Sequence, residues 1–203
     1  MSVDNDNDSG LWDLLVDGNE RAYSALFRKY YASLVSYGKS LTQHHNLVSD
    51  CVQEVFLDIW LYRKTLTHPT CIKAYLLSGV RKRIARRLER ERIFRNPQSL
   101  DQVETTFKVE FNLNFTVLDE MIHDEETRNQ VLLVNKLLNQ LPERQKEALY
   151  LRYHQGLEIT QIADLMDINP QSASNLLHRG IKYLRRSWMG EISLLILTFH
   201  LFY

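Results

Sequence analysis

The residues able to do chemistry in this sequence are mostly charged, and they lie in runs rather than in compact sites. His44-His45, His154 and His178 have no metal-ligand or nucleophile–base company, and no glycine-rich phosphate loop occurs. Cys51 and Cys71 form neither a CxxC pair nor a zinc spacing. No catalytic residue, metal or cofactor is therefore expected. What remains is the chemistry of binding. Arg81, Lys82, Arg83, Arg86, Arg87, Arg90, Arg92 and Arg95 fall within fifteen residues, against only Glu89 and Glu91. So many like charges on one helix repel unless a polyanion is near, which points to nucleic acid. A solvated face with local pairing to Glu89 and Glu91 is the plainer alternative. Just upstream, Tyr62, Arg63, Lys64, His68 and Lys73 flank Pro69, a grouping able to hold an unstacked base.

A second concentration lies near the end of the chain. Ile159 to Met166 reads as a short helix with Ile159, Ile162, Ala163 and Met166 inward. Asp167-Ile168-Asn169 is a tight connection, Asn169 suits an N-cap, and Pro170 suits a first helical position. The next helix would bury Ala173, Leu177, Ile181 and Leu184. Its outer face would show Gln171, Ser172, Ser174, Asn175, His178, Arg179 and Lys182, then Arg185 and Arg186. Ala163 is small where two helices must cross closely. Short polar groups at a helix tip reach base edges in a major groove, and the basic groups behind them neutralise phosphates. The pattern points to a DNA-binding helix-turn-helix. The alternative is an antiparallel helix pair with a solvated polar face.

A third set is less expected of a solvated surface. On a helical wheel Val52, Val55, Phe56 and Ile59 share the core side, while Asp50, Gln53, Glu54, Leu57 and Leu61 cluster on another. Acid, amide and leucine on one face suit a protein interface, where apolar anchors give affinity and charges give register. Cover by another helix of the same domain explains the leucines equally well.

These residues need helices to position them, and the composition provides for helices. Leu, Glu, Arg, Lys and Gln are abundant, and 7 Gly and 4 Pro are few for a turn-rich β fold. Lys and Arg number 25 and so do Asp and Glu, so the total charge argues for no partner and only the distribution counts. The expected class is all-α, with two small helical domains joined by an acidic linker. The first, 11–95, has apolar residues at spacings of three and four from Leu11 to Tyr37, read as one helical face. Asn46 is the expected cap of the next helix, and the His68-Pro69-Thr70 break precedes a third. The linker, 96–126, begins at Asn96-Pro97 and is acidic, with scattered Phe107, Phe111, Leu113 and Phe115; a surface loop with one packed helix is its alternative. The second domain, 127–187, has a helix start at Leu141-Pro142-Glu143 and a stop at Gly156. The polar segment Met1 to Gly10 is expected to fray, with no apolar export segment behind it. Two thiols suit a reducing cytoplasm.

Taken in order, the motifs resemble a known family. Asp50-Cys51-Val52-Gln53-Glu54-Val55-Phe56-Leu57-Asp58-Ile59-Trp60 resembles the region 2 core of extracytoplasmic-function (ECF) sigma factors of bacterial RNA polymerase. Ala74-Tyr75-Leu76 and Arg81 resemble the helix that follows it. Leu141-Pro142-Glu143-Arg144-Gln145 and Gly156-Leu157 through Arg186 resemble region 4. The resemblance implies a protein that binds core RNA polymerase and directs promoter-specific transcription without being an enzyme. Asp50, Gln53, Glu54, Leu57 and Leu61 would dock on a coiled coil of the largest polymerase subunit. The helix 73–95 and the loop before it would recognise and melt the minus-ten element, through Arg63, Lys64, Lys73, Arg81, Lys82 and Arg86. Gln171, Ser172, Ser174, Asn175, His178, Arg179 and Lys182 would read the minus-thirty-five element. The linker would lie in the RNA exit path, and an anti-sigma factor would be a partner. Lys82, Arg86 or Arg87, Asp167, Ser174 and Leu176 depart from the family's usual residues and leave the promoter sequence open. The competing function is a helix-turn-helix regulator that is not a polymerase subunit.

The segment 188–203 is apolar. Its stretch Ile192–Tyr203 would span about 18 Å as helix, too short for a hydrocarbon core of about 30 Å. Packing on the second domain is expected, with partner docking or loose membrane contact as alternatives, and the protein is expected in the cytoplasm without obligate membrane insertion.

Overall fold

A computed structural model describes the backbone of residues 3–95, 111 and 125–201, with side chains over 8–94, 111 and 132–187. The described residues are helices and their connections, and the chain divides between residues 110 and 111 into two units.

The first unit holds α1 (Val3–Val16), α2 (Glu20–Leu41), α3 (His45–Tyr62) and α4 (Ile72–Arg95), with a short 3-10 turn at Arg63–Thr65. The apolar spacing from Leu11 to Tyr37 predicts one face but hides a break. Gly18, at φ +90°, ends α1, its N–H donating to the Leu15 carbonyl at 2.9 Å. The Asn19 side chain then caps α2, accepting from the N–H groups of Arg21 and Ala22 at 2.9 and 3.1 Å. Two helices at an angle thus share what reads as one stripe. Two other expectations are corrected. Helix α1 starts at Val3, not Leu11, because Asp8 is buried where it accepts from Tyr30 Oη and pairs with Lys29 Nζ at 2.6 Å. Asn46 is not a cap, because α3 begins one residue earlier, after a turn in which Thr42 Oγ1 accepts from the His44 N–H at 3.2 Å.

The core of this unit is made by Leu15, Leu26, Leu34 and Tyr37 against Val48, Val52, Phe56, Leu76, Leu77, Val80 and Ile84. Gly38 lets α2 and α3 approach: a Cβ there would lie 2.5 Å from Val48 Cγ1. Helices α3 and α4 pack side by side, which places the acidic and basic sets of the sequence next to each other.

The second unit holds α5 (Glu125–Asn139), α6 (Glu143–Leu149), α7 (Ile159–Met166) and α8 (Pro170–Leu201). Helix α6 widens into a π turn over Tyr150–His154 and ends before Gly156, at φ +72°. Phe111 belongs to this core. It is 1% exposed, its ring meets Tyr150 edge-on at 5.5 Å, and its N–H donates to Glu143 Oε2. Sequence reading leaves Phe111 among scattered aromatics because the segment around it has no period. The rest of 96–124 lies outside the described residues, and Glu125 and Glu126 are already helical.

Candidate nucleic-acid and partner-protein interfaces

Helices α7 and α8 form the turn that the sequence predicts. The Glu158 N–H donates to Gln161 Oε1 at 2.9 Å, closing the start of α7. Ile162, Ala163, Leu165 and Met166 are buried, while Ile159 is half-buried. Asp167 takes the left-handed conformation at φ 55°, ψ 56°, which lets the chain reverse; Asp is one of the few side chains that tolerates it. Asn169 Oδ1 accepts from the Ser172 N–H at 2.7 Å and opens α8. Helix α8 is seated by Gly180, where a Cβ would lie 2.9 Å from Leu149 Cδ1. Gly180 escapes sequence reading because glycine inside a helical period looks like a weakness rather than a point of close packing.

This seating sets the outer face of α8. Gln171, Asn175, His178, Arg179, Lys182, Arg185 and Arg186 are exposed, and Ser172 and Ser174 are half-exposed. Gln171 Nε2 donates to Asn175 Oδ1 at 3.2 Å, so these two polar side chains are held together at the tip. Ile181 and Leu184, expected inward, are only half-buried. They line an apolar hollow of about 280 Å³ with Leu138, Leu149, Tyr150, Tyr153 and His154. Beyond residue 187 the backbone of α8 runs on as helix to Leu201; the packing expected of the apolar tail falls on side chains outside the described residues. No helix among the described residues is long and apolar enough to cross a membrane.

In the first unit, Leu57 and Leu61 are 52% and 59% exposed, so no helix of their own unit covers them. Gln53 is exposed beside them. The carboxylates of this face are not bare. Asp50 lies 3.9 Å from Arg87, Glu54 binds both Arg87 and Arg83, and Asp58 binds Arg83. The basic run of α4 therefore divides. Arg83 and Arg87 are tied to α3, and Arg92 pairs with Glu89 at 2.8 Å. Lys82, Arg86 and Arg90 are exposed and form no ion pair among the described residues.

Two of the expected minus-ten residues sit inward. Arg81 is 7% exposed, because its position on α4 continues the buried line of Leu77 and Ile84. Arg63 stacks on Trp60 at 4.4 Å, donates to the Trp60 carbonyl at 2.6 Å, and lies against the Gly18 turn. Arg81 is thus withdrawn from solvent, whereas Arg63 is half-buried. Lys64 is exposed and Lys73 is half-buried. Below the Pro69 loop, α3 and α4 enclose an open hollow of about 430 Å³. Tyr62, Tyr75, Lys82 and Arg83 line it together with Val55, Ile59 and Leu66. Burial and the nearby Asp58 carboxylate push the Tyr75 hydroxyl above its ordinary pKa, so it stays a neutral donor. Burial likewise pushes up the Cys51 thiol, which keeps it protonated and unreactive.

Residues 132–184, from within α5 to within α8, match the family model "Sigma-70, region 4". That match places a region 4 domain of the sigma-70 type in the second unit. Sigma-70 proteins, the family that this model describes, direct transcription initiation by binding core RNA polymerase and promoter DNA. Two solved structures share the fold across both units. One is CnrH in complex with the cytosolic domain of CnrY, at 16% identity and a TM-score of 0.58, covering 90% of this chain and 97% of that one. The other is the sigma factor RpoE in complex with the anti-sigma factor NepR from Bartonella quintana, at 19% identity and a TM-score of 0.56. It covers 81% of this chain and 94% of that one. No curated protein sequence matches the chain.

Proposed function

We propose that this sigma factor, of the ECF type, grips core polymerase with α3 and reads its promoter with α8 and the α3–α4 hollow. The observation that carries this reading is the exposure of Leu57 and Leu61 beside Asp50, Gln53 and Glu54. A helix-turn-helix regulator has no use for an apolar ridge on a separate helical unit, whereas docking on a protein does. Residues 11–95 act as region 2 and 127–187 as region 4, joined by the acidic linker 96–126. In region 4, Gln171, Ser172, Ser174, Asn175 and His178 face base edges of the minus-thirty-five element, and Arg179 and Lys182 hold phosphates. In region 2, Lys64, Lys73, Lys82 and Arg86 contact the minus-ten element, and the hollow beside Tyr62 receives an unstacked base as the duplex opens.

The protein works by binding, not as an enzyme, in the cytoplasm where polymerase is. An anti-sigma factor is its proposed regulator, since the RpoE relative was solved with one.

The test is binding of the full chain to core polymerase, followed by run-off transcription over genomic fragments. The wild-type chain co-elutes with core and yields promoter-specific transcripts. Leu57→Asp weakens core binding about a hundredfold, the scale of losing a central apolar anchor, with helicity unchanged. DNA binding without any core binding would instead establish the regulator.

A further inference from the structure

The acidic positions of α3 and the arginines of α4 form one structure. Asp50, Glu54 and Asp58 recur every fourth residue along α3, and Arg83 and Arg87 recur at the same interval along the neighbouring α4. They interleave. Arg87 reaches Asp50 at 3.9 Å and binds Glu54, and Arg83 reaches Glu54 at 3.3 Å and binds Asp58. The result is a ladder of five charges, Asp50–Arg87–Glu54–Arg83–Asp58, with one carboxylate uncancelled.

We infer that this ladder, rather than an acidic edge of α3 alone, is the charged half of the polymerase-docking surface, with Arg87 a positioning residue for Glu54; the inference rests on the function proposed above. Three observations support it. First, every member keeps its side chain between 24% and 61% exposed while paired, so the ladder stands on the surface. Second, it adjoins Gln53, Leu57 and Leu61, the other members of the same face. Third, a carboxylate has room for about four hydrogen bonds, so Glu54 bound by two guanidiniums still has acceptor sites to offer. Its rotamer is fixed before any partner arrives, which removes part of the ordering cost of association. The partner surface that fits carries alternating charge with an apolar groove between, not a uniformly basic patch.

The experiment measures the affinity of the labelled full chain for core polymerase by competition, alongside thermal melting. Arg87→Gln leaves Glu54 held by Arg83 alone, loosening its side chain, and weakens core binding about tenfold at an unchanged melting temperature, because half-exposed ion pairs add little to folding. A full charge exchange of the ladder, Asp50→Arg, Glu54→Arg and Asp58→Arg with Arg83→Glu and Arg87→Glu, remakes every helix–helix pair but presents the wrong charge at each place. It melts like wild type and still binds core at least about tenfold more weakly. Full core binding by that exchange would reduce Arg87 to a structural tie and overturn the inference. So would wild-type affinity in Arg87→Gln while Glu54→Gln loses it, since the α3 edge alone would then dock. If Arg87→Gln fails to fold, the exchange decides the question. A wild-type chain that binds no core overturns the proposed function itself, a result distinct from either.

Discussion

Helices α4 and α8 both look like nucleic-acid ligands in sequence, yet they use their cations differently. Along α4, Arg83 and Arg87 turn to the carboxylates of α3, Arg81 goes inward, and Lys82, Arg86 and Arg90 are left on the open side. Along α8, Arg179, Lys182, Arg185 and Arg186 are all exposed, and the helix is held by Ala173, Leu177 and Gly180 instead. The difference follows from the neighbours. Helix α4 lies beside an acidic stripe in register with it, whereas α8 rests on the apolar sides of α6 and α7. A basic run therefore reports a phosphate-binding surface only after the charges opposite it are known. On the proposed function, the run of α4 serves two partners and that of α8 serves DNA.

The strongest way to break the comparison is to unseat α8 without touching its cations. Gly180→Val places methyl groups where Leu149 Cδ1 already stands 2.9 Å from the Cβ position. Overpacking of this kind costs about 1–3 kcal/mol, and the β-branched side chain adds little helix preference to offset it. The expected outcome is a lower urea midpoint for the second unit, with the first unit's transition unmoved. Retained stability would mean that α6 yields, and that Gly180 does not set the distance at which α8 presents its basic face.

A smaller effect of opposite sign tests the turn before α8. Asp167 stands at φ 55°, a conformation that costs an L-residue about 1 kcal/mol and glycine little. Asp167→Gly should raise the stability of the second unit by about 0.5–1 kcal/mol, seen in its melting temperature, without altering promoter choice. The matching loss, about 1 kcal/mol, is expected for Asn169→Ala, which removes the acceptor of the Ser172 N–H.

That turn was also among the most legible parts of the sequence. Asp167, Asn169 and Pro170 act locally, so their types alone announce the geometry that the structure shows. The exposed Leu57 and Leu61 were legible as a second face of α3, but not their freedom from cover, which depends on where other helices pass. What the sequence did not reveal is pairwise. The Arg83–Asp58 and Arg87–Glu54 pairs span 25 and 33 residues, and nothing in either helix names its partner. The break at Gly18-Asn19 was hidden by an apolar period that continued across it. Phe111 was hidden in the opposite way, as a core residue in a segment with no period at all. The packing of Arg81 and Arg63 was hidden for a third reason: an arginine counts as basic in sequence wherever its stem is buried, and only packing decides how far its head meets solvent.

The finest measure of the α4–α8 comparison is the salt dependence of promoter binding by holoenzyme. Removing one phosphate-bound cation lowers the slope of log affinity against log salt by about 0.9 on duplex DNA and about 0.7 on a single strand. Arg179→Ala should therefore reduce the slope by about 0.9, and Arg86→Ala, beside DNA that is being opened, by about 0.7. Arg87→Gln should leave it where it was once core is saturating, because that guanidinium is held by Glu54 and Asp50. A drop for Arg87→Gln equal to that for Arg86→Ala would show the ladder opening when DNA arrives. The two sides of α4 would then be one phosphate surface, and its likeness to α8 would be closer than the free protein displays.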